Sequence, residues 1–255
     1  MRSNSVLVKA EEDFTTITMN RPERRNALSL GLLRDMTAAF RDAGDTSARG
    51  VILAANGPVF SAGHDFRDIA GADAGSIREL LDSCTELMVT MQSIPQPVVA
   101  RVHGLATAAG CQLVATADLA VASEDAGFAT PGGKGGWFCH TPLVAVARNV
   151  SPKRALELGL TGDTIDAGTA FEWGLVNHVV PTEQLDDATV SLLRRATRGS
   201  RASKALGKQT FYAQIGLDQR AAYEHALDVM TQSSQAPDAQ EGFAAFLEKR
   251  PPRFE

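Results

Sequence analysis

The sequence has few of the residues that mark secreted, membrane-spanning or nucleic-acid-binding proteins. It contains three cysteines, Cys84, Cys111 and Cys139. Their odd number and irregular spacing predict neither a disulfide framework nor a metal-binding motif. No apolar run is long enough for a signal peptide or a membrane span, and a formal net charge of -5 provides no basic field for nucleic acid. We therefore expect a soluble, cytoplasmic protein with no nucleic-acid or membrane partner.

The distribution of apolar residues predicts an α/β fold. The chain has 255 residues, 44% of them hydrophobic, which is enough to form one sizeable core. Residues 51–54, 98–102 and 119–122 have the pattern of short buried strands, whereas apolar residues between 77 and 91 recur at helical spacing. Strands that alternate with helices predict a largely parallel sheet. From Ser151 onward the pattern is that of successive helices.

Two segments have the composition of turns that expose free backbone amides. Residues 60–66 pass from a strand through Gly63 into a helix start, and residues 104–112 pass from a strand into a helix rich in small side chains. Small side chains allow a ligand to approach the main chain. The first amides of a helix have no intrahelical acceptor, and the helix dipole is positive there. Each segment alone also fits an ordinary connection without a ligand.

Taken in order, several motifs resemble those of the enoyl-CoA hydratase/isomerase (crotonase) family. They are residues 20–28 (NRPERRNAL), 60–65 (FSAGHD), 97–118, 128–131 (FATP) and the LTG, IDA and GLV triplets within 160–176. The resemblance extends over nearly the whole chain, and the ordered set is far more specific than any one motif. It implies a spiral core of ββα turns over residues 1–198. It also implies a helical C-terminal region, residues 199–255, that forms trimers, which often pair into hexamers.

The resemblance implies an acyl-coenzyme A ligand whose thioester carbonyl lies in an oxyanion hole. By motif position, the backbone amides of His64 and Ala109 are the two donors. Enolate charge builds on the carbonyl oxygen during proton transfer at the adjacent carbon, and each preorganised donor stabilises it by roughly 2.7–4 kcal/mol. Ala109 replaces the usual glycine, which a negative φ would tolerate. Coenzyme A is part of the substrate, so we expect no separate cofactor and no metal.

Two positions depart from the hydratases of the family, which hold and activate water with two glutamates. Here those positions are Gln112 and Gly132. Gln112 can orient a water molecule but cannot accept its proton, and Gly132 can do neither. Because general acid–base catalysis contributes about 10²–10⁴-fold, we expect ordinary hydration to be crippled. Residues 129–132 (ATPG) and 138–142 (FCHTP) are nearest to the enoyl-CoA hydratase domain-containing branch of the family.

Three functions remain open on the sequence. The chain could hydrate 2-enoyl-CoA thioesters in fatty acid metabolism, or it could be a catalytically impaired acyl-CoA binder or regulator. It could also catalyse another crotonase reaction, an isomerisation or a thioester hydrolysis, with His140 as the base. Histidine can exchange a proton near neutral pH, although His140 also fits a residue that only lines a pocket. Cys111 and Cys139 fit structural roles better than nucleophilic ones.

Further predicted contacts involve coenzyme A and the acyl group. The resemblance places residues 20–28 and the helix after the first oxyanion turn beside the nucleotide. Arg24, Arg25 and Arg67 are therefore candidates for its phosphates, as is Lys208 from the helical tail, although a surface cation is often only solvated. Other residues predicted to line the substrate by motif position are Ala27, Ala62, Asp65 and Gly132. Asp65 also fits a helix N-cap.

Overall fold

The computed structural model describes residues 4–11 and 13–254, which form nine strands and ten α-helices. The strands are β1 (Val6–Ala10), β2 (Phe14–Met19), β3 (Gly50–Ala55), β4 (Val98–Val102), β5 (Ala106–Thr107), β6 (Leu119–Ser123), β7 (Gly127–Ala129), β8 (Ile165–Asp166) and β9 (His178–Val180). The helices are α1 (Leu30–Gly44), α2 (Ala74–Ser93), α3 (Ala109–Thr116), α4 (His140–Val146), α5 (Pro152–Thr161), α6 (Ala167–Trp173), α7 (Leu185–Ala196), α8 (Arg201–Gln214), α9 (Gln219–Ser233) and α10 (Pro237–Glu248).

The strands form two sheets. The larger has the order β1-β2-β3-β4-β6-β9, and the smaller has the order β5-β7-β8. In the larger sheet β1 and β2 are antiparallel, and every following pair is parallel. This arrangement confirms the predicted α/β fold with largely parallel strands.

The central strands read as continuous apolar runs because both faces of the sheet are covered. In β3, Val51 and Leu53 pack into a core that includes helices α1 and α2, whereas Ile52 and Ala54 pack against helix α7 on the other face. Side chains alternate between the two faces of a strand, so the four apolar residues 51–54 pack into two different apolar clusters, one on each face of the sheet. The smaller sheet holds β5 directly before helix α3, which places the start of that helix beside the 60–66 turn.

Residues 201–248 form helices α8, α9 and α10, which leave many large apolar side chains in solvent. Exposed apolar residues on these helices are Leu206, Phe211, Tyr223, Leu227, Met230, Phe243, Phe246 and Leu247. None of the helices among the described residues is both long enough and apolar enough to cross a membrane.

Lys208, a predicted phosphate contact, instead holds helix α8 against the segments that precede strands β4 and β6. Its side chain is 7% exposed, and its Nζ lies 2.8 Å from Asp118 Oδ2. The same ammonium donates to the main-chain carbonyls of Met91 and Gln96, and Tyr212 donates to the other Asp118 oxygen at 2.7 Å. Burial lowers the pKa of Lys208, and Asp118 opposes that shift. With all three ammonium protons engaged, Lys208 is placed as a structural residue.

Replacing Lys208 by methionine is expected to lower the free energy of unfolding by about 3–5 kcal/mol, because it leaves the Asp118 charge buried without its cation. Urea unfolding measures this change. Lys204→Met, at an exposed position on the same helix, is the matched control and is expected to change stability by less than about 0.5 kcal/mol. A Lys208→Met variant that keeps its stability but loses affinity for coenzyme A would contradict the structural role.

Candidate active site

A cavity of about 350 Å³ lies where the 60–66 turn, the start of helix α3 and the 131–142 segment meet. Its wall is mostly apolar and aromatic. The lining residues are Ala62, His64, Phe66, Leu81, Thr107, Ala108, Ala109, Pro131, Gly132, Gly135, Trp137, Phe138, Cys139, His140, Thr141 and Pro142. A mostly apolar pocket with a few convergent polar groups is the usual form of a small-molecule site.

The peptide between Gly63 and His64 turns the His64 N–H away from the protein framework. The Gly63 carbonyl accepts a hydrogen bond from the Leu28 N–H at 2.7 Å, and the Asp65 N–H donates to the Leu28 carbonyl at 3.1 Å. In a trans peptide the C=O and N–H point in opposite directions. The His64 N–H therefore points away from Leu28, and it donates to no acceptor among the described residues.

Ala109 presents its amide at the start of helix α3. The carbonyl of the preceding residue, Ala108, accepts from the Gln112 N–H at 3.1 Å within the helix, so the Ala109 N–H points out of the helix end. It is one of the amides that a helix leaves unpaired, and no acceptor for it lies within the described part of the chain. Ala109 does not have a positive φ, so a side chain is tolerated where the family resemblance implies glycine.

The two turns are in direct contact, which brings both amides to one cavity. The Thr107 N–H donates to the Ser61 carbonyl at 2.9 Å, so the two segments are joined by main-chain pairing. A Cβ added to Gly63 would lie 3.2 Å from the Ala109 nitrogen and 2.8 Å from the Ala108 Cβ. Gly63 has a φ of +82°, so this position needs glycine for its conformation and for the close approach.

Ala108 carries backbone strain at the junction of strand β5 and helix α3. Its φ of 51° and ψ of -118° lie in a region that L-residues rarely adopt, and its N–H is held by the Ala129 carbonyl at 2.8 Å. This conformation turns the chain so that the next amide faces the cavity. Strain of this kind costs about 1–3 kcal/mol and persists where the surroundings enforce it.

Ala108→Gly is expected to raise the free energy of unfolding by about 1 kcal/mol, because relief of the strain exceeds the entropy cost of glycine. Ala115→Gly, inside helix α3 where φ is unstrained, is the control and is expected to lower stability by about 1 kcal/mol. Denaturant unfolding of both variants tests the assignment. Equal destabilisation by the two substitutions would show that Ala108 is unstrained.

The cavity wall contains few groups that can carry a proton. Within the described residues, its titratable side chains are those of His64, Cys139 and His140, and no carboxylate lines it. Burial lowers the pKa of His64, and the Leu28 main chain and the Asp68 charge oppose that shift. Burial also raises the pKa of Cys139, and the Gly132 N–H donates to its sulfur at 3.3 Å. His140 is exposed at the start of helix α4, so it contacts both the cavity and solvent.

Gln112 lies outside the cavity wall. It is buried in helix α3, and its Oε1 is 4.0 Å from the Cys84 sulfur. The predicted role of Gln112 in holding water therefore has no support from its position, because its amide faces helix α2 and not the cavity.

Gly132 does line the cavity, and a larger residue would not fit there. A Cβ at this position would be 2.2 Å from the Trp137 carbonyl oxygen and 2.8 Å from the Cys139 sulfur. The 131–139 segment is thus folded tightly over Gly132. A glutamate at position 132 would require this loop to move, so a single substitution would not place a carboxylate in the cavity.

Asp65 and Arg67 form an ion pair beside the first turn. The Asp65 carboxylate is buried, accepts from the Arg67 N–H at 3.2 Å as the predicted N-cap, and accepts from Arg67 Nε at 2.9 Å. Hydrogen bonding from Arg67 holds the pKa of Asp65 below its ordinary range. The Arg67 side chain remains 52% exposed, so its outer edge is open to a ligand.

The other predicted contacts lie along the same edge. Arg24 and Arg25 are exposed, and the Arg25 carbonyl accepts from the Ala62 N–H at 2.9 Å, which fixes this arginine segment next to the cavity wall. Ala62 lines the cavity, whereas Ala27 lies behind it and accepts from Arg21. The Arg25 main chain is therefore joined to the cavity wall, while the contact of Arg24, Arg25 and Arg67 with coenzyme A stays a prediction.

Sequence reasoning missed most of the apolar wall. Phe66, Leu81, Trp137, Phe138 and Pro142 enclose the cavity, but their spacing along the chain has no common period. Two of them, Phe66 and Trp137, are exposed although large and apolar. The position of Trp137 directly after a glycine-rich segment is the one signal that could have indicated a ligand-facing aromatic residue.

Comparison with known proteins identifies the family. Residues 9–255 match the enoyl-CoA hydratase/isomerase family. A Danio rerio relative, the mitochondrial enoyl-CoA hydratase domain-containing protein 3, is 43% identical over 252 residues, covering 98% of this chain and 87% of the relative. It confirms the predicted resemblance to that branch. Among solved structures, an enoyl-CoA hydratase of Mycobacterium smegmatis has a TM-score of 0.95 at 44% identity, over 98% of this chain and 99% of that chain.

A second solved structure, the human enoyl-CoA hydratase domain-containing protein 3, has a TM-score of 0.94 at 39% identity, covering 98% of this chain and 100% of that chain. These neighbours confirm the predicted crotonase fold. One expectation is wrong: relatives from Danio rerio and Homo sapiens are named as mitochondrial proteins, which contradicts the cytoplasmic location expected from composition. Composition excludes a membrane span more readily than it identifies a compartment. On the family match and these likenesses, the chain belongs to the enoyl-CoA hydratase/isomerase family.

Proposed function

We propose that this protein binds acyl-CoA thioesters and stabilises an enolate formed by proton transfer at the carbon next to the thioester. One observation carries the proposal: the unpaired N–H groups of His64 and Ala109 belong to two touching turns that line a single apolar cavity. A thioester oxygen between them would receive two hydrogen bonds. These strengthen as the oxygen gains negative charge in the transition state.

The acyl group would occupy the cavity against Phe66, Leu81 and Phe138. An acyl chain bound there would displace water from the cavity and thereby strengthen the hydrogen bonds to the enolate oxygen. His140 is the proposed proton carrier, because it lines the cavity and is also exposed. It would take a proton from the α carbon and return it there or to another carbon of the acyl chain.

Hydration by the two-glutamate route is disfavoured in this proposal. Such a route needs a carboxylate to take the proton of the attacking water, and the described cavity wall contains none. A second candidate function, acyl-CoA binding without turnover, is favoured by this same observation. The enolate-forming function and the binding-only function differ in whether His140 moves a proton at an appreciable rate.

The coenzyme A portion would extend along the arginine edge. Arg24 and Arg25 are exposed there, and Arg67 is held in place by Asp65 while its outer edge stays open. Guanidinium groups bind phosphates with paired hydrogen bonds. In a chain with a net charge of -5, these arginines would provide the local positive charge that the phosphates of the ligand need.

We also propose that the chain self-associates as a trimer or a pair of trimers. The support is the apolar surface on helices α8, α9 and α10, where Phe246, Leu247 and Met230 are 83%, 79% and 72% exposed. Apolar patches of this kind usually mark interfaces. Light scattering of the purified protein would decide between a monomer, a trimer and a hexamer.

The test of the function uses butyryl-CoA and crotonyl-CoA. Calorimetry measures binding, NMR in D₂O measures exchange of the butyryl-CoA α protons, and the loss of enoyl absorbance measures hydration. The proposal predicts binding of both thioesters, α-proton exchange above the buffer rate, and hydration near background. Binding without α-proton exchange would favour the second candidate function, acyl-CoA binding without turnover. The absence of binding to either thioester would refute both.

A further inference from the structure

The guanidinium of Arg21 joins two segments that meet behind the first oxyanion turn. Its Nη1 donates to the Ala27 carbonyl at 3.1 Å and to Ser29 Oγ at 2.7 Å. Its Nη2 lies 3.6 Å from Asp65 Oδ2. The Arg21 side chain is only 20% exposed, and partly buried charge pairs are screened less than those in solvent. The contact therefore links the 27–29 segment to the residue after His64.

Asp65 and Leu28 carry this connection to the peptide that faces the cavity. Leu28 donates to the Gly63 carbonyl and accepts from the Asp65 N–H, so that it holds the His64 residue from both sides. Arg21 holds the main chain just before Leu28 by donating to the Ala27 carbonyl. It holds the segment just after His64 by its contact with the Asp65 carboxylate. If the 27–29 segment moved relative to Asp65, this peptide would rotate and its N–H would no longer point at the cavity.

We propose that Arg21 is a positioning residue, which orients the His64 N–H by holding Asp65 and the 27–29 segment together. This inference rests on the proposed function, because it places a thioester oxygen at that amide. Arg21 does not line the cavity, so it would act indirectly, through the Asp65 carboxylate and the 27–29 segment. A guanidinium suits this position because its planar fork can contact acceptors on two segments in one fixed geometry.

The test compares the carbonyl stretching frequency of bound [1-¹³C]butyryl-CoA in the wild type and in Arg21→Gln by isotope-edited infrared spectroscopy. Two strong donors lower this frequency relative to the free ligand. Arg21→Gln is expected to lose most of that downshift while its affinity for free coenzyme A, which lacks the acyl carbonyl, is unchanged. Arg41→Gln removes a surface guanidinium that pairs with Glu86 and, as the matched control, should keep the full downshift.

Arg21→Lys provides a second reading in case the glutamine variant folds poorly. It keeps the positive charge but lacks the fork, and a partial loss of the downshift is expected. A full downshift in both Arg21 variants would overturn the positioning role, as would an equal loss of downshift and of coenzyme A affinity, which would assign Arg21 to binding. If the wild type bound butyryl-CoA with no downshift, the proposed oxyanion hole itself would be refuted. Failure of the Arg21 role and failure of the proposed function are therefore distinguishable.

Discussion

Ala109→Pro is expected to slow α-proton exchange of butyryl-CoA by about 10²–10³-fold, the usual cost of losing one oxyanion donor. Proline has no N–H, and it is well tolerated at the first position of a helix because that amide has no intrahelical partner. Ala109 is the first residue of helix α3. Because the proline Cδ would clash with the Cβ of Ala108 at its ψ of -118°, both Ala109 variants are made and compared in the Ala108→Gly background. There the substitution removes one hydrogen-bond donor, and NMR in D₂O measures the resulting exchange rate.

Ala109→Gly is the matched variant for this experiment. It removes the same methyl group but keeps the N–H, and it introduces the residue that the family resemblance implies at this position. We expect Ala109→Gly to exchange the α protons at close to the wild-type rate. Circular dichroism confirms that each variant is folded. If Ala109→Pro kept the wild-type exchange rate while folded, the amide of Ala109 would have no part in stabilising the enolate.

The second large effect is expected for His140→Gln. Glutamine has a similar size and polarity but cannot take up a proton, and general acid–base groups contribute about 10²–10⁴-fold. The rate of α-proton exchange should fall by that factor, whereas calorimetric affinity for butyryl-CoA should stay near the wild-type value. The difference between rate and affinity separates a proton carrier from a residue that only lines the cavity.

His225→Gln is the control for the loss of a histidine. His225 lies on helix α9 and is absent from the cavity wall, so neither the exchange rate nor the affinity should change. An exchange rate that survives in His140→Gln would mean that another group, such as buried His64, moves the proton. An exchange rate at background in the wild type, with binding intact, would favour the non-catalytic function.

Local sequence patterns correctly predicted the strands and helices that have a clear apolar run or a clear helical periodicity. The 51–54 and 98–102 runs form central strands β3 and β4, and apolar residues from 77 to 91 lie on helix α2 as expected. Asp166 caps helix α6 by accepting from the Thr169 N–H. These elements are predictable because periodicity and capping are local properties, which a few neighbouring residues determine.

Side-chain placement within the site was harder to predict. Gln112 and Ala109 are three residues apart, yet the first side chain faces helix α2 and the second residue lines the cavity. Lys208 was expected to contact a phosphate, but Asp118 and two carbonyls hold its ammonium inside the protein. Such outcomes depend on contacts between segments about 30 to 120 residues apart, which no local pattern in one sequence reveals.

Gly132 occupies a position where the family resemblance implies a catalytic glutamate. From the sequence alone, this difference looks like the loss of one side chain. In the structure the Trp137 carbonyl occupies the space that any Cβ would need, and Trp137 itself becomes part of the cavity wall. Within the described residues this loop lines the cavity with an aromatic side chain and no carboxylate, which supports our proposal of a chemistry different from two-glutamate hydration.

A crystal structure of the protein with butyryl-CoA would show where the thioester oxygen binds. We expect this oxygen to lie about 2.7–3.1 Å from both the His64 and the Ala109 main-chain nitrogens, the range expected of oxyanion-hole donors, with the butyryl chain inside the cavity. A complex in which that oxygen contacts neither nitrogen, or in which the acyl chain lies outside the cavity, would contradict this expectation.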